Sequence, residues 1–249
     1  MTTSLPKKLK KEPLIDAVFE VRFDSDAPVS VVLPGFLFNK LEGKKSIEAL
    51  PIAQIPSEIR KADPNLKYAP LNRLDWGLFF VNIGDNNLSI SCKYPYPGWD
   101  IFKPSIIEVM NVLLESGLPK IIERYSLKYI DLIQASGDQQ KVSMVNLDMT
   151  IAGHKLEKEP YMIRIEIPRD GFMNVVQVIS SATTTLHTGI SKEGLVVDVD
   201  TVAIQNNISM DSLFNGFPDK LDTIHRANKA MFFDCITLTT LKSLEPVYE

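Results

Sequence analysis

Three stretches of this sequence set charged residues two positions apart: Glu20, Arg22 and Asp24; Arg164 and Glu166; Asp198 and Asp200. Alternation along a strand puts each set on one face of a sheet, where opposite charges can pair across strands. The common use of such a face is a solvated, self-neutralised surface. A sharper use is a curved sheet whose polar interior holds phosphate through Arg22, Arg124, Lys128 and Arg164, with Asp198 and Asp200 coordinating a divalent cation. Guanidinium forks match phosphate and hard cations take carboxylate oxygens, so this set would serve a metal-dependent phosphoryl hydrolase.

The segment Tyr94-Pro95-Tyr96-Pro97-Gly98-Trp99 carries a different chemistry. Each proline restricts the residue before it to extended backbone, the glycine permits a sharp reversal, and the rings supply large contact areas. Such a corner can staple a strand to a helix. It can also present Tyr94, Tyr96 and Trp99 as a rigid aromatic surface for a partner, since amphipathic rings are favoured at interfaces.

Histidine offers little. His225 sits one position off the apolar stripe of the last long helix, and a general base there would need an acid or nucleophile beside it that the sequence does not name. The G-x-S-x-G, G-x-x-x-x-G-K-[ST], G-x-G-x-x-G and H-E-x-x-H patterns are absent. No catalytic residue is named, no cofactor is expected, and the balance leans away from an enzyme.

The elements that must position these residues follow from periodicity. Ala17, Phe19, Val21 and Phe23 alternate with Asp16, Val18, Glu20 and Arg22, which predicts a strand with one charged face. Prolines at 28, 34, 51, 56, 64 and 70 exclude a long helix or central strand between Ala27 and Asp75, leaving short helices near 35–41 and 56–62. Trp76–Ile83 and Leu88–Tyr94 read as a hairpin. A buried helix capped by Asp100 and ended by Gly117 comes next, then a strand over 124–134. Five strands are expected over 145–151, 161–167, 174–180, 184–189 and 195–203, joined as an antiparallel meander. Helices over 217–233 and 237–244 close the chain.

The expected class is therefore α+β, with largely antiparallel sheets and helices laid on them. The small polar run 135–141 is the best boundary. It divides an N-terminal half (13–134) from a similar-sized C-terminal half (142–249), each with a sheet and a long amphipathic helix, unless the two form one continuous domain. Residues 1–12 read as a disordered basic leader.

Bulk properties narrow the partner. The 249 residues are 45% hydrophobic and 23% charged with a net charge of −4, an ordinary globular composition that argues against a broadly basic nucleic-acid surface. Cys92 and Cys235 are far apart and in no metal-ligand spacing. The lysines at 7, 8, 10 and 11 precede no apolar stretch of signal-peptide length, and no run is long and apolar enough to span a membrane. A cytoplasmic protein is expected, with a protein partner or a second copy of itself, such as a homodimer, rather than a membrane or nucleic acid.

Several blocks, taken in order, resemble a known family: the opening Pro13-Leu14-Ile15-Asp16-Ala17-Val18-Phe19-Glu20-Val21-Arg22-Phe23, then Tyr96-Pro97-Gly98-Trp99, Glu123 through Ile130, Val197-Asp198-Val199-Asp200-Thr201, and Leu221 through Phe233 with His225. The family is a sporadically distributed set of bacterial and archaeal proteins of unknown function and similar length. Asp16 and Asp131 stand where the family pattern has Glu and Asn. The patchy distribution suggests genes that travel, in mobile-element or defence neighbourhoods; it implies no activity or site. Together these readings point to a non-catalytic interaction or ligand-binding protein, with the phosphoryl hydrolase as the alternative.

Overall fold

The alternating run near the start of the chain is a strand, as its period demands. The computed structural model describes residues 5–64, 66–134, 142–186 and 188–248. In it, β1 (Lys8–Leu9) is followed by β2 (Leu14–Asp24), which buries Ala17, Phe19, Val21 and Phe23 and leaves Glu20 and Arg22 half-buried on the opposite face. Lys8 and Leu9, within the expected leader, pair with a short C-terminal strand.

Chain contacts group the residues into two compact units, neither continuous in sequence. One comprises Ala17–Leu127 and Val202–Ile224; the other comprises Met1–Asp16, Lys128–Thr201 and His225–Glu249. The boundary expected at 135–141 lies outside the described residues.

In the first unit β2 is followed by α1 (Val29–Lys40), β3 (Lys45–Ala49), a 3-10 turn (Pro51–Gln54), α2 (Ser57–Ala62), β4 (Asn72–Trp76), β5 (Phe79–Ile83), β6 (Asn87–Cys92), α3 (Trp99–Ser116) and the first half of β7 (Ile121–Ile133). The strands β3, β4, β5, β6 and β2 pair antiparallel in that spatial order; Val81 and Phe19 both lie opposite Ile90. The helices α1 and α3 pack on each other and α3 packs on β6. Phe19, Phe102, Ile106 and Leu113 are fully buried there, and Phe19 meets the rings of Tyr125 and Phe217 at centroid distances of 6.3 and 6.0 Å.

Two expectations fail in this unit. Trp76–Ile83 is two strands, because Gly77 adopts φ 53° and reverses the chain inside a run that looks uniformly apolar. The helix α1 extends through Pro34 instead of starting after it. A proline leaves the carbonyl four residues earlier without its helical donor, and here Asn72 Nδ2 donates to Ser30 O at 2.7 Å.

The second unit carries the rest of β7, then β8 (Thr150–Ile151), β9 (His154–Lys155), β10 (Met162–Arg169), β11 (Phe172–Thr185) and most of β12 (Ser191–Ile208). The end of β12, α4 (Met210–Phe214) and the start of α5 (Phe217–Cys235) belong to the first unit, whereas the rest of α5, α6 (Leu238–Ser243) and β13 (Pro246–Val247), the partner of β1, belong to the second unit. Its core includes Val176, Leu195, Val197, Val199, Met231 and Ile236. The hairpin joining β10 to β11 turns on Asp170 and Gly171, both at positive φ as a two-residue primed turn requires. The strand expected over 145–151 shrinks to β8 and a bridge from Val145 to Ile236, while the strands expected at 174–180 and 184–189 join in β11 as far as Thr185.

The class is α+β with antiparallel pairing. Within the second unit the strand order is β10-β11-β12-β7, and within the first it is β2-β6-β5-β4-β3, so β10 and β3 are outermost strands. Among the described residues no helix is long and apolar enough to cross a membrane.

Candidate functional site

The Tyr94–Trp99 corner delivers the chain into α3. Gly98 takes φ 95°, open to glycine and strained for other residues, and its carbonyl accepts the N–H groups of Ile101 and Phe102 at 3.2 and 2.9 Å. Glycine therefore fills the cap position expected of Asp100. Asp100 instead lies in the first turn, where its carboxylate suits the positive end of the helix. Gly117 ends the helix in the left-handed conformation, as expected.

Spacing divides α3 into two faces. Phe102, Ile106, Val109, Met110 and Leu113 are buried. Asp100, Lys103, Pro104, Ile107, Glu108 and Asn111 follow one another at short helical intervals along the other face, and with Trp99 and Asp222 they line an open groove of about 640 Å³.

Trp99 has two jobs. Its ring packs edge-on against Phe102 at 6.2 Å, as does Tyr96 at 6.2 Å, so these rings fasten the corner to the buried face of the helix. Its indole Nε1 also donates to Asp222 Oδ1 at 3.1 Å, and Lys103 Nζ donates to Asp222 Oδ2 at 2.7 Å. Tyr94 and Tyr96 do not line the groove.

The groove is acidic. Its carboxylates are Asp100, Glu108 and Asp222 and its ammonium is Lys103, so three negative charges stand against one positive, a net of −2. Burial, then the neighbouring Glu42, push the Glu108 carboxyl above its ordinary range, with Lys45 opposing. Within the helix, Pro104 withholds the N–H that would cover the Asp100 carbonyl, which adds an acceptor to this wall. A ligand with several donors and positive charge fits these groups.

The charged strand faces resolve into pairs and small networks. In the first unit Arg22 Nε and Arg124 donate to the same oxygen, Glu20 Oε1, at 2.7 and 2.9 Å. Arg22 also lies over the Tyr68 ring, 4.2 Å from its centroid, and Tyr68 and Lys67 both bond Glu123, at 2.5 and 3.2 Å. In the second unit Lys128 pairs with Asp198 at 2.9 Å and Arg164 with Glu166 at 2.9 Å. Each of the four cations expected to hold phosphate thus has a carboxylate partner already. Among the described residues no three His, Cys, Asp or Glu side chains are grouped to hold a metal ion, around Asp198 and Asp200 or elsewhere.

Three further features belong to the second unit. Asp131 is 5% exposed; burial, then Glu12 and Asp198, push its carboxyl well above the ordinary range. A cavity of about 270 Å³ is lined by Ile163, Ile165, Ile167, Val176, Val178 and Met231, with the Arg169–Asp234 ion pair (2.5 Å) and the Cys235 thiol also on its wall. Burial, then Asp234, push that thiol up to about 11, so it stays protonated at neutral pH. His225 faces Tyr129 at a ring separation of 5.9 Å.

Of the candidate residues named from the sequence, Trp99 lines the groove; its other lining residues were not among them. The signal for the α3 wall was present in the polar residues spaced along the helix opposite the apolar stripe. Nothing local marks Asp222, which lies 123 positions from Trp99.

A scan against protein-family models finds no match, and no curated protein matches the chain. The family resemblance accordingly stands on the sequence blocks that carry it.

Proposed function

We propose that this protein is a non-catalytic binding protein that takes a basic segment of a partner protein into the groove on α3. The observation that carries the reading is the pairing of Trp99 with a net charge of −2 in an open groove of about 640 Å³. An aromatic anchor beside a cluster of carboxylates suits a Lys- or Arg-bearing chain, whose cations can lie against the indole face and whose donors can meet Glu108, Asp100 and the Asp100 carbonyl. Because Arg22, Arg124, Lys128 and Arg164 each already bond a carboxylate, binding at this groove is favoured over phosphate chemistry on the strand faces.

Trp99 makes the test direct, since the other tryptophan, Trp76, is buried with its Nε1 bonded to the Glu42 carbonyl at 2.8 Å. Titrating the purified protein with Lys/Arg-rich peptides should change the Trp99 emission, more strongly at low salt than at high, while matched acidic peptides leave it unchanged. Glu108→Gln with Asp100→Asn should weaken binding at least tenfold with the fold retained. Equal response to acidic peptides, or affinity untouched by the double variant, would overturn the reading. Capture from native host lysate, with the same variant as control, would then identify the partner.

A further inference from the structure

We infer that this chain forms a homodimer by antiparallel pairing of β10 with the β10 of a second copy, in a register centred on Ile165. The inference is independent of the α3 groove. It starts from the sheet order, in which β10 is an outermost strand. The strand runs eight residues, Met162–Arg169, and its side chains are exposed far beyond those of a covered strand: Met162 is 67% and Ile165 48% exposed. An edge this long offers a row of backbone donors and acceptors to any strand that can meet it.

The backbone direction of β10 is fixed by its pairing with β11. Ser180 donates its N–H to the Tyr161 carbonyl at 3.0 Å, and Tyr161 donates its own N–H to Ser180 Oγ at 2.9 Å. In an antiparallel pair, residues alternate between bonding the neighbour and facing away, so odd-numbered residues of β10 bond β11 while Met162, Arg164, Glu166 and Pro168 direct their backbone groups outward. Pro168 agrees with this parity: it lacks an N–H and occupies an outward position, where β11 loses nothing and the free edge loses one donor near its end.

Outward residues must pair with outward residues, which leaves few registers. Centring on Arg164 would set Arg164 opposite its own copy, and centring on Glu166 would do the same for the glutamate. Like charges directly opposite are destabilising. Centring on Ile165 sets Arg164 opposite the second copy's Glu166 and Glu166 opposite its Arg164, each pair exchanging both backbone bonds. The two charges now pair within one copy at 2.9 Å, with their side chains 55% and 52% exposed, so the attraction can pass across the two-fold without uncovering either. On the other face Ile163 meets Ile167, and Ile165 meets itself. The apolar wall that begins in the cavity beside β11 would continue into the second copy, covering Ile165. The outermost strand of the first unit, β3, is five residues long and offers less.

Sedimentation velocity across a concentration series tests the proposal on the whole chain. The parent should sediment as a dimer. Glu166→Arg and Arg164→Glu should each weaken the dimer about tenfold or more, because each sets two like-charged pairs opposite one another. The double exchange, Arg164→Glu with Glu166→Arg, should restore it, and circular dichroism should show all three variants folded. Ile165→Cys supplies a second readout: the central pair is a non-hydrogen-bonded one, with Cα atoms about 4.5 Å apart, and the two introduced thiols should close into an intermolecular disulfide on mild oxidation. A monomeric parent would overturn the inference. So would a dimer indifferent to both single exchanges, or one in which the Ile165→Cys variant does not cross-link.

Discussion

Trp99 Nε1 donates to Asp222 Oδ1 at 3.1 Å, and Lys103 meets the other oxygen of the same carboxylate at 2.7 Å, so one aspartate of α5 holds two residues on successive turns of α3. The Lys103 side chain is 22% exposed and that of Asp222 44%, so water screens part of this attraction. Asp222→Ala should therefore cost about 1 kcal/mol in urea unfolding, mostly from uncovering the indole N–H and the ammonium. Trp99→Phe keeps the ring against Phe102 and loses a single hydrogen bond, so its cost should be smaller. The reverse ranking would show that ring packing, and not Asp222, holds this end of the helix.

Asp131 supplies a pH dependence whose sign is determined. Its folded pKa is raised by burial first and by the Glu12 and Asp198 carboxylates next, whereas an unfolded aspartate titrates near pH ~3.9. Between the two values the folded state holds a proton that the unfolded state has lost. Stability is therefore fully present below the unfolded value, falls as pH rises toward the folded value, and levels off above it. Asp131→Asn removes the charge and the slope. Its Tm should exceed the parent's at about pH 8 and converge on it toward about pH 5. A constant offset at both would separate Asp131 from the pH dependence.

Much of the fold was legible because its elements are locally determined. The alternation from Ala17 to Phe23 predicts which face of β2 is buried, and Gly117 marks the end of α3 by the conformation it alone adopts cheaply. Tyr125, Leu127, Tyr129 and Asp131 fall on one side of β7 as period two requires, and all are buried. Gly77 broke a run that looks uniformly apolar, and elsewhere a neighbour distant in sequence supplied what the local rule said was missing. Asn72 satisfies the carbonyl that Pro34 leaves open, so α1 is longer than proline placement allows. At the site, the polar face of α3 could have been read from spacing. Asp222 could not, because its role depends on where α5 lies.

Thr201, fully buried on β12, centres a polar network in the second unit. Its Oγ1 donates to Asn174 Oδ1 at 2.8 Å and accepts from Asn228 Nδ2 at 3.1 Å, while Asn228 also donates to the Val199 carbonyl at 2.8 Å. Thr201→Val preserves shape and removes both hydroxyl bonds, leaving buried amide groups short of partners. The expected loss is about 1–3 kcal/mol, more than an exposed threonine would show. Thr201→Ser keeps the hydroxyl and should recover most of it in the same urea titration. If serine is as poor as valine, the methyl group's packing is the larger contribution.

Gly194 tests how closely β12 approaches β7. A Cβ placed there would lie 2.4 Å from the Ile133 carbonyl oxygen, 3.0 Å from its carbonyl carbon and 3.0 Å from Leu132 Cδ2. The nearest atoms are backbone of a central strand and cannot swing aside, so Gly194→Ala should cost about 1–3 kcal/mol through displaced strands. The contrast is Gly117, where φ is 63° and nothing lies within 4 Å of the added carbon, so an alanine there meets torsional strain alone, about 1 kcal/mol. Urea midpoints should rank Gly194→Ala below Gly117→Ala. Adding Leu132→Ala to Gly194→Ala distinguishes the two contacts: if the Ile133 carbonyl is the obstacle, shortening the leucine brings no recovery and costs a further cavity. Recovery in the double variant would instead place the obstacle in the leucine side chain, and the backbone spacing at β12 would be looser than 2.4 Å implies.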